Sequence, residues 1–305
     1  MSLVQNTLDG PAAYRRGIFL VLSAGTCLSL GGIGIRLIET ASVWQILFYR
    51  SLALAPFLLI VIALRGDGGL LRALKAVGIC GIIGGAAMTV AFFGAIFSFQ
   101  TTTVANAVFL FATQPFISAV LGIVILGEPV RRATWIAMTV AIVGISVMVT
   151  GGLALGRWVG NAAALFSALG FSVFTISLRW KKTKDMMPTV FLAGVFSIIV
   201  AGVVCAATGE SFSLPMRDIA IALGLGVFQI GVGLVLYTVG SKAIPAGELA
   251  LLVMSEVVLS PIWVWLFLSE KDSLFTLAGG TIILFALAGN AISGMRRKPL
   301  PVALE

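Results

Sequence analysis

The stretch TTVANAVFLFATQPFISAVLGIVILGEPVRR, residues 102–132, sets the kind of fold. From Thr102 to Leu126 it holds no charged side chain. It is long enough to cross an apolar layer about 30 Å thick as an α-helix. It stops at Gly127-Glu128-Pro129 and is followed at once by Arg131 and Arg132. In hydrocarbon every backbone N–H and C=O must find a partner within the protein, which leaves helices and closed barrels. A continuous apolar run is the helical pattern; a barrel strand would alternate over about ten residues.

Runs of the same kind recur on both sides of this one. Of the 305 residues 59% are hydrophobic and 10% charged, with a mean hydropathy of +1.11. Soluble domains carry roughly 25% charged residues, so most of this surface must face lipid. Breaks at charged, Gly and Pro positions give ten predicted spans. They lie at 16–38, 42–64, 74–98, 102–126, 133–150, 157–178, 188–208, 217–241, 248–268 and 273–294. The connections are short and leave no room for a soluble domain. The polar stretch Met1 to Tyr14 reads without a cleavable signal peptide, because the first apolar segment is long enough to stay as a span.

Charge sets the orientation. With the N-terminus placed in the cytoplasm, fifteen Lys and Arg fall inside. They are Arg15, Arg16, Arg65, Arg72, Lys75, Arg131, Arg132, Arg179, Lys181, Lys182, Lys184, Lys242, Arg296, Arg297 and Lys298. Four fall outside: Arg36, Arg157, Arg217 and Lys271. The bias predicts a multi-pass protein of the bacterial inner membrane with both termini cytoplasmic. The net charge of +8 is therefore a topology signal, and no nucleic-acid partner is expected.

The two halves match in register. Leu126-Gly127-Glu128-Pro129 closes the fourth span and Leu268-Ser269-Glu270-Lys271 closes the ninth, with the two glutamates 142 residues apart. Arg36 and Arg179, at the ends of the first and sixth spans, are 143 apart. Five spans per half force the second half to enter the membrane from the opposite side. The fold class expected is thus all-α integral membrane, two inverted five-helix repeats (1–152 and 153–305) around a central cavity. That arrangement lets a carrier present one site alternately to two compartments.

Several chemistries are excluded. The chain has no histidine, which removes His-based triads, His-ligated metals and a histidine proton relay. Cys27, Cys80 and Cys205 lie in separate spans and read as small buried hydrophobes, with no metal site expected. No G-x-x-x-x-G-K-[ST] pattern occurs. An enzyme is not expected, nor any cofactor, and sparse isolated polar residues argue against a continuous channel pore.

Ala105-Asn106-Ala107 to Pro115, then Leu126-Gly127-Glu128-Pro129 and Gly144, together with Phe48-Tyr49-Arg50, resemble the signature of the EamA-type carriers of the drug/metabolite transporter superfamily. Within it the chain looks most like the bacterial amino acid exporters, including those for aromatic amino acids. The second half departs from the pattern at Ser269, and Pro261 sits four positions later than a direct match to Pro115. The resemblance implies export of a small-molecule substrate, an amino acid or related metabolite. It leaves the oligomeric state open, a monomer being compatible.

Polar residues deep in the spans are the candidate site. Arg50 and Glu256 are the ionisable acidic and basic residues well inside them. Such charges cost at least a few kcal/mol unless they face protein or water. The repeat offset carries Glu256 onto Gln114, making the two symmetry mates beside a central cavity. Glu256 could bind a substrate ammonium or take up a proton as coupling ion; pairing with Arg50 is the plainer alternative. Helical spacing adds Asn106 and Thr113 to the Gln114 face, Ser260 and Trp263 to the Glu256 face, and Gln229 with Tyr237 on the eighth span. Thr89, Phe93 and Gln100 align on the third. Gly81 with Gly85 and Gly156 with Gly160 read as close-approach pairs, and the clusters Gly31, Gly32, Gly34 and Gly224, Gly226, Gly231, Gly233 as places that allow bending. Pro56, Pro115 and Pro261 are expected to interrupt their spans.

Overall fold

A computed structural model describes residues 11–64, 69–154, 157–180, 185–244 and 246–295. Arg65, Lys181, Lys182, Lys184, Arg296, Arg297, Lys298 and Gly156 lie outside them. Among the described residues twelve α-helices account for ten crossings. They are α1 (Pro11–Arg36), α2 (Val43–Leu64), α3 (Gly69–Thr101), α4 (Val104–Phe111), α5 (Gln114–Leu126), α6 (Arg132–Ala154) and α7 (Trp158–Trp180). After them come α8 (Met187–Thr208), α9 (Met216–Gly224), α10 (Gly233–Gly240), α11 (Ala246–Leu268) and α12 (Leu274–Met295). A π-helical segment, Leu225–Val232, joins α9 to α10. Among the described residues nine helical runs are long and apolar enough to cross a membrane, and Arg132–Met148 of α6 is a shorter apolar stretch. The ten crossings make an all-helical inverted repeat. We call the face where the described chain begins and ends the termini face, and the other the far face.

The fourth crossing is not one helix. Thr103 caps α4, its side chain accepting the Asn106 N–H, and the helix ends at Ala112. The backbone restarts at Gln114 with Pro115 in the first turn of α5, where a missing N–H costs nothing. Asn106, Thr113 and Gln114 therefore do not share the continuous face that a 3.6-residue period predicts. The other two prolines correct the expectation in the opposite sense: Pro56 and Pro261 lie within continuous α2 and α11. Another break comes at Gly78 of α3, whose φ of 53° is in the left-handed region that glycine tolerates.

The two halves interlace. α1 packs chiefly on α11 and on the α9–α10 run, while α7 packs on α3, α4 and α5. Each half thus lends its first helix to the other. α2 against α8 and α6 against α12 complete the exchange, each pairing one repeat position with its own counterpart. At the α6–α12 crossing a Cβ on Gly144 would lie 2.7 Å from the Gly279 carbonyl oxygen, so the backbones nearly touch. The core runs through the middle of this bundle, with Ile46, Leu47, Leu54, Leu58, Ile96 and Leu110 fully buried. Phe19, Ile79, Ile142 and Phe285 point outward, as lipid-facing positions do.

The repeat is visible in the helix ends. Gly127, at φ 66°, closes α5 with the Glu128 N–H donating to Gly122 O at 3.1 Å. Ser269 closes α11 at φ 54°, with the Glu270 N–H donating to Val264 O at 3.3 Å. Both are six-residue Schellman closures at equivalent positions.

Candidate functional site

Glu256 sits ten residues into α11 and twelve from its end, about 15 and 18 Å along the helix axis. As a residue it is half-buried, and among the described residues its carboxylate makes no hydrogen bond or ion pair. The helix is pressed against α1 at this level. A Cβ on Gly25 would collide with the Ser255 side chain and lie 3.5 Å from the Glu256 nitrogen. Slightly further along, Ser260 Oγ donates to Ser29 O at 3.1 Å and Trp263 Nε1 donates to Ser29 Oγ at 2.9 Å. Ser29 Oγ in turn donates to Thr26 O at 2.7 Å. The polar atoms of Ser260 and Trp263 are thus satisfied by α1, while the neighbouring carboxylate is not.

Gln229 reaches the same helix from the π segment. Its Nε2 donates to Leu28 O over a long 3.4 Å, and its Oε1 is buried without a partner. Tyr237 follows on α10, half-buried, its hydroxyl without a hydrogen bond among the described residues. Because Gln229 lies in a π-helical stretch, the α-helical spacing that aligned it with Tyr237 does not carry through. What the structure brings together instead is Gln229, Ser260, Trp263 and Glu256 along α1.

Arg50 is only 3% exposed, with Nε and Nη2 buried and unpartnered. Its guanidinium stacks over the Phe92 ring at 4.7 Å from the centroid. Such a contact contributes on the order of 2 kcal/mol when desolvated. The plain alternative, an Arg50–Glu256 ion pair, does not occur. Phe93, next to Phe92 on α3, stacks on Trp44 of α2 at 4.4 Å and 26°. The Arg50 carbonyl is also where the π segment touches α2, since a Cβ on Gly226 would overlap that oxygen.

Asn106 and Gln114 are placed otherwise. Asn106 is 2% exposed and fully engaged near the far face. Its Nδ2 donates to Thr102 Oγ1 at 3.2 Å and to Asn161 Oδ1 at 3.3 Å, and its Oδ1 accepts from Thr276 at 2.8 Å. This network ties α4 to α7 and α12. Gln114 Nε2 donates to Ser118 at 2.9 Å and Thr175 at 3.1 Å, and its carbonyl accepts from Ser172 at 3.0 Å.

The symmetry mapping sharpens the contrast between mates. Ser118 corresponds to Ser260 and Ser172 to Ser29, so the α5–α7 and α1–α11 crossings are built from the same positions. At the first crossing Gln114 is satisfied by Thr175. At the second the residue equivalent to Thr175 is Gly32, which offers no hydroxyl, and Glu256 is left open. Sequence reasoning missed Ser29, Ser172, Asn161, Phe92 and Trp44. Serines and aromatics are too common in apolar helices to stand out, although the equivalence of Ser29 and Ser172 was a readable signal.

At the far face a shallow cleft is lined by Arg36, Thr103, Arg157, Leu268, Glu270 and Lys271. Asp272 lies beside Thr103, and burial raises its carboxyl above the ordinary range.

Ten apolar crossings in two inverted repeats, with ionisable side chains left unpaired inside them, define a polytopic membrane transporter. The sequence pattern of the EamA-like transporter family matches residues 15–150 and again residues 158–292, and the chain belongs to that family. It is accordingly a member of the drug/metabolite transporter superfamily. No curated protein matches the sequence. A crystal structure of a protein superposes with a TM-score of 0.65 at 16% identity, over 92% of this chain and 99% of the other. At that identity the likeness speaks for the fold alone.

Proposed function

We propose that the protein is a secondary carrier that exports amino acids, aromatic or bulky neutral ones, or related small metabolites. It works by alternating access across the bacterial inner membrane, with the termini face cytoplasmic and the repeats dividing at 152/153. The observation that carries this is Glu256: an unpaired carboxylate at mid-depth, on a helix seated against the other half. There it suits a substrate ammonium or a transported proton. Arg50 with Phe92, and the Trp44–Phe93 stack, add a cation and aromatic surface, which suit a ligand carrying both a carboxylate and an apolar side chain.

Uptake of radiolabelled amino acids into proteoliposomes holding the purified protein tests the reading. Expected is saturable uptake of aromatic or bulky neutral amino acids, with competition among them, driven by a pH gradient. Glu256→Gln keeps the shape and removes the charge, and is expected to abolish pH-driven uptake. Saturable uptake confined to drugs or nucleosides would reassign the substrate, and undiminished pH-driven uptake by Glu256→Gln would remove the carboxylate from the coupling.

A further inference from the structure

Two Arg–Glu bridges stand outside the site described above, and they are symmetry mates. On the far face Arg36, the last residue of α1, pairs with Glu270 just past α11: Nη2 donates to Oε1 over a long 3.4 Å, and Nε lies 3.2 Å from Oε2 without hydrogen-bonding it. On the termini face Arg179, in the last turn of α7, bonds Glu128 just past α5. Each bridge joins one half to the other. Each also closes the end of the helix pair that carries a mid-depth member of the Gln114–Glu256 pair. Swinging the end of α11 away from α1 would open the far bridge, and swinging the end of α5 away from α7 would open its mate; alternating access requires the two to open in turn.

The bridges are unequal in this structure. Arg36 and Glu270 are 28% and 16% exposed, and each has a further anchor. Arg36 Nη2 donates to Thr102 O at 2.7 Å, and the Val104 N–H donates to Glu270 Oε1 at 3.0 Å, so the bridge also caps α4. Arg179 and Glu128 are 48% and 39% exposed and have no further partner among the described residues. More cross-half contacts lie around the far bridge. Thr40 Oγ1 donates to Asp218 at 2.7 Å, Gln45 Nε2 to Ser211 O at 2.6 Å, and Arg217 pairs with Glu39 at 2.6 Å.

We propose that these bridges are the two gates of the carrier: Arg36–Glu270 latches the far face, Arg179–Glu128 the termini face, and the far latch is the stronger one. The inference rests on the alternating-access reading and adds the residues that set which face opens. Exposed bridges shift an equilibrium by about fivefold at most. The embedded far bridge, with its two extra anchors, is expected to shift it about tenfold.

The test uses the full chain in lipid nanodiscs, with Cys27, Cys80 and Cys205 replaced by serine. Spin labels sit on exposed pairs across each face, Thr101→Cys with Lys271→Cys, and Arg132→Cys with Trp180→Cys. Distances are read without substrate. Arg36→Gln is expected to lengthen the far pair and shorten the termini pair; Arg179→Gln does the reverse, more weakly. The swaps Arg36→Glu with Glu270→Arg, and Arg179→Glu with Glu128→Arg, restore the starting distributions. Both pairs lengthening together, neither responding, or swaps that fail to restore would overturn the gates. Reciprocal distances in a protein that takes up none of the substrates tested uphold the gates and remove the substrate reading. Retained uptake with unresponsive distances does the opposite.

Discussion

Ser269 holds a conformation that its counterpart Gly127 holds more easily. Both end a helix in the left-handed region, at φ 54° and 66°. A side chain there costs roughly 1 kcal/mol, because Cβ crowds the following carbonyl. Ser269→Gly is therefore expected to stabilise the protein by about 0.5–1 kcal/mol, some of the gain being offset by the freer unfolded chain. Thermal unfolding in detergent followed by tryptophan fluorescence reads it; a lower midpoint would show that the serine makes a compensating contact. At this scale the sequence was legible where a residue was rare. Glu256 and Arg50 stood out as charges inside apolar runs, and neither has an ion-pair or hydrogen-bond partner among the described residues. Asn106 was picked on its amide in the same way, yet Thr102, Asn161 and Thr276 consume that amide. A residue type announces polarity, whereas its partners come from three other helices that the local sequence does not specify.

The ten spans were legible because hydropathy reports burial in lipid. The breaks inside them were not, because they concern hydrogen-bond register, to which hydropathy is blind. Thr113 and Pro115 carried a weak trace of the α4–α5 break, being a helix restart with proline in the first turn. The π segment had no comparable mark apart from its glycines. Gly226 shows why one of them is needed: α2 comes so close that any Cβ there would overlap the Arg50 carbonyl. Gly226→Ala is expected to push α2 and the π segment apart at a cost of about 1–3 kcal/mol. Gly224, shortly before it, has open space around its missing Cβ, so Gly224→Ala serves as the matched control and should leave stability unchanged or raise it slightly. Equal losses in both would mean that the segment's flexibility matters rather than its contact with α2.

At the scale of the whole molecule the all-helical inverted repeat was legible, but the interlacing of the two halves was not. The repeat offset gave the positions that correspond, and the inverted topology followed from five spans per half. Which half each helix packs into is settled by tertiary packing alone. Orientation still rests on charge. In a cysteine-free background, Lys271→Cys on the far face and Lys242→Cys on the termini face are both exposed. A membrane-impermeant maleimide added to intact cells is expected to label the first and spare the second. The reverse pattern would turn the carrier over in the membrane.

Interlacing also has a consequence for biosynthesis. α1 emerges from the ribosome ahead of the other described helices, but its main partners, the α9–α10 run and α11, come late, with only α12 after them among the described helices; Trp263 trails Ser29 by 234 residues. At about 5–20 residues per second, α1 waits roughly 10–50 s in the bilayer with its packing face open. Its glycines and serines are exposed to lipid through that interval. The nascent chain is then a target for membrane proteases and dependent on whatever shields unpaired helices, until α11 arrives to cover α1.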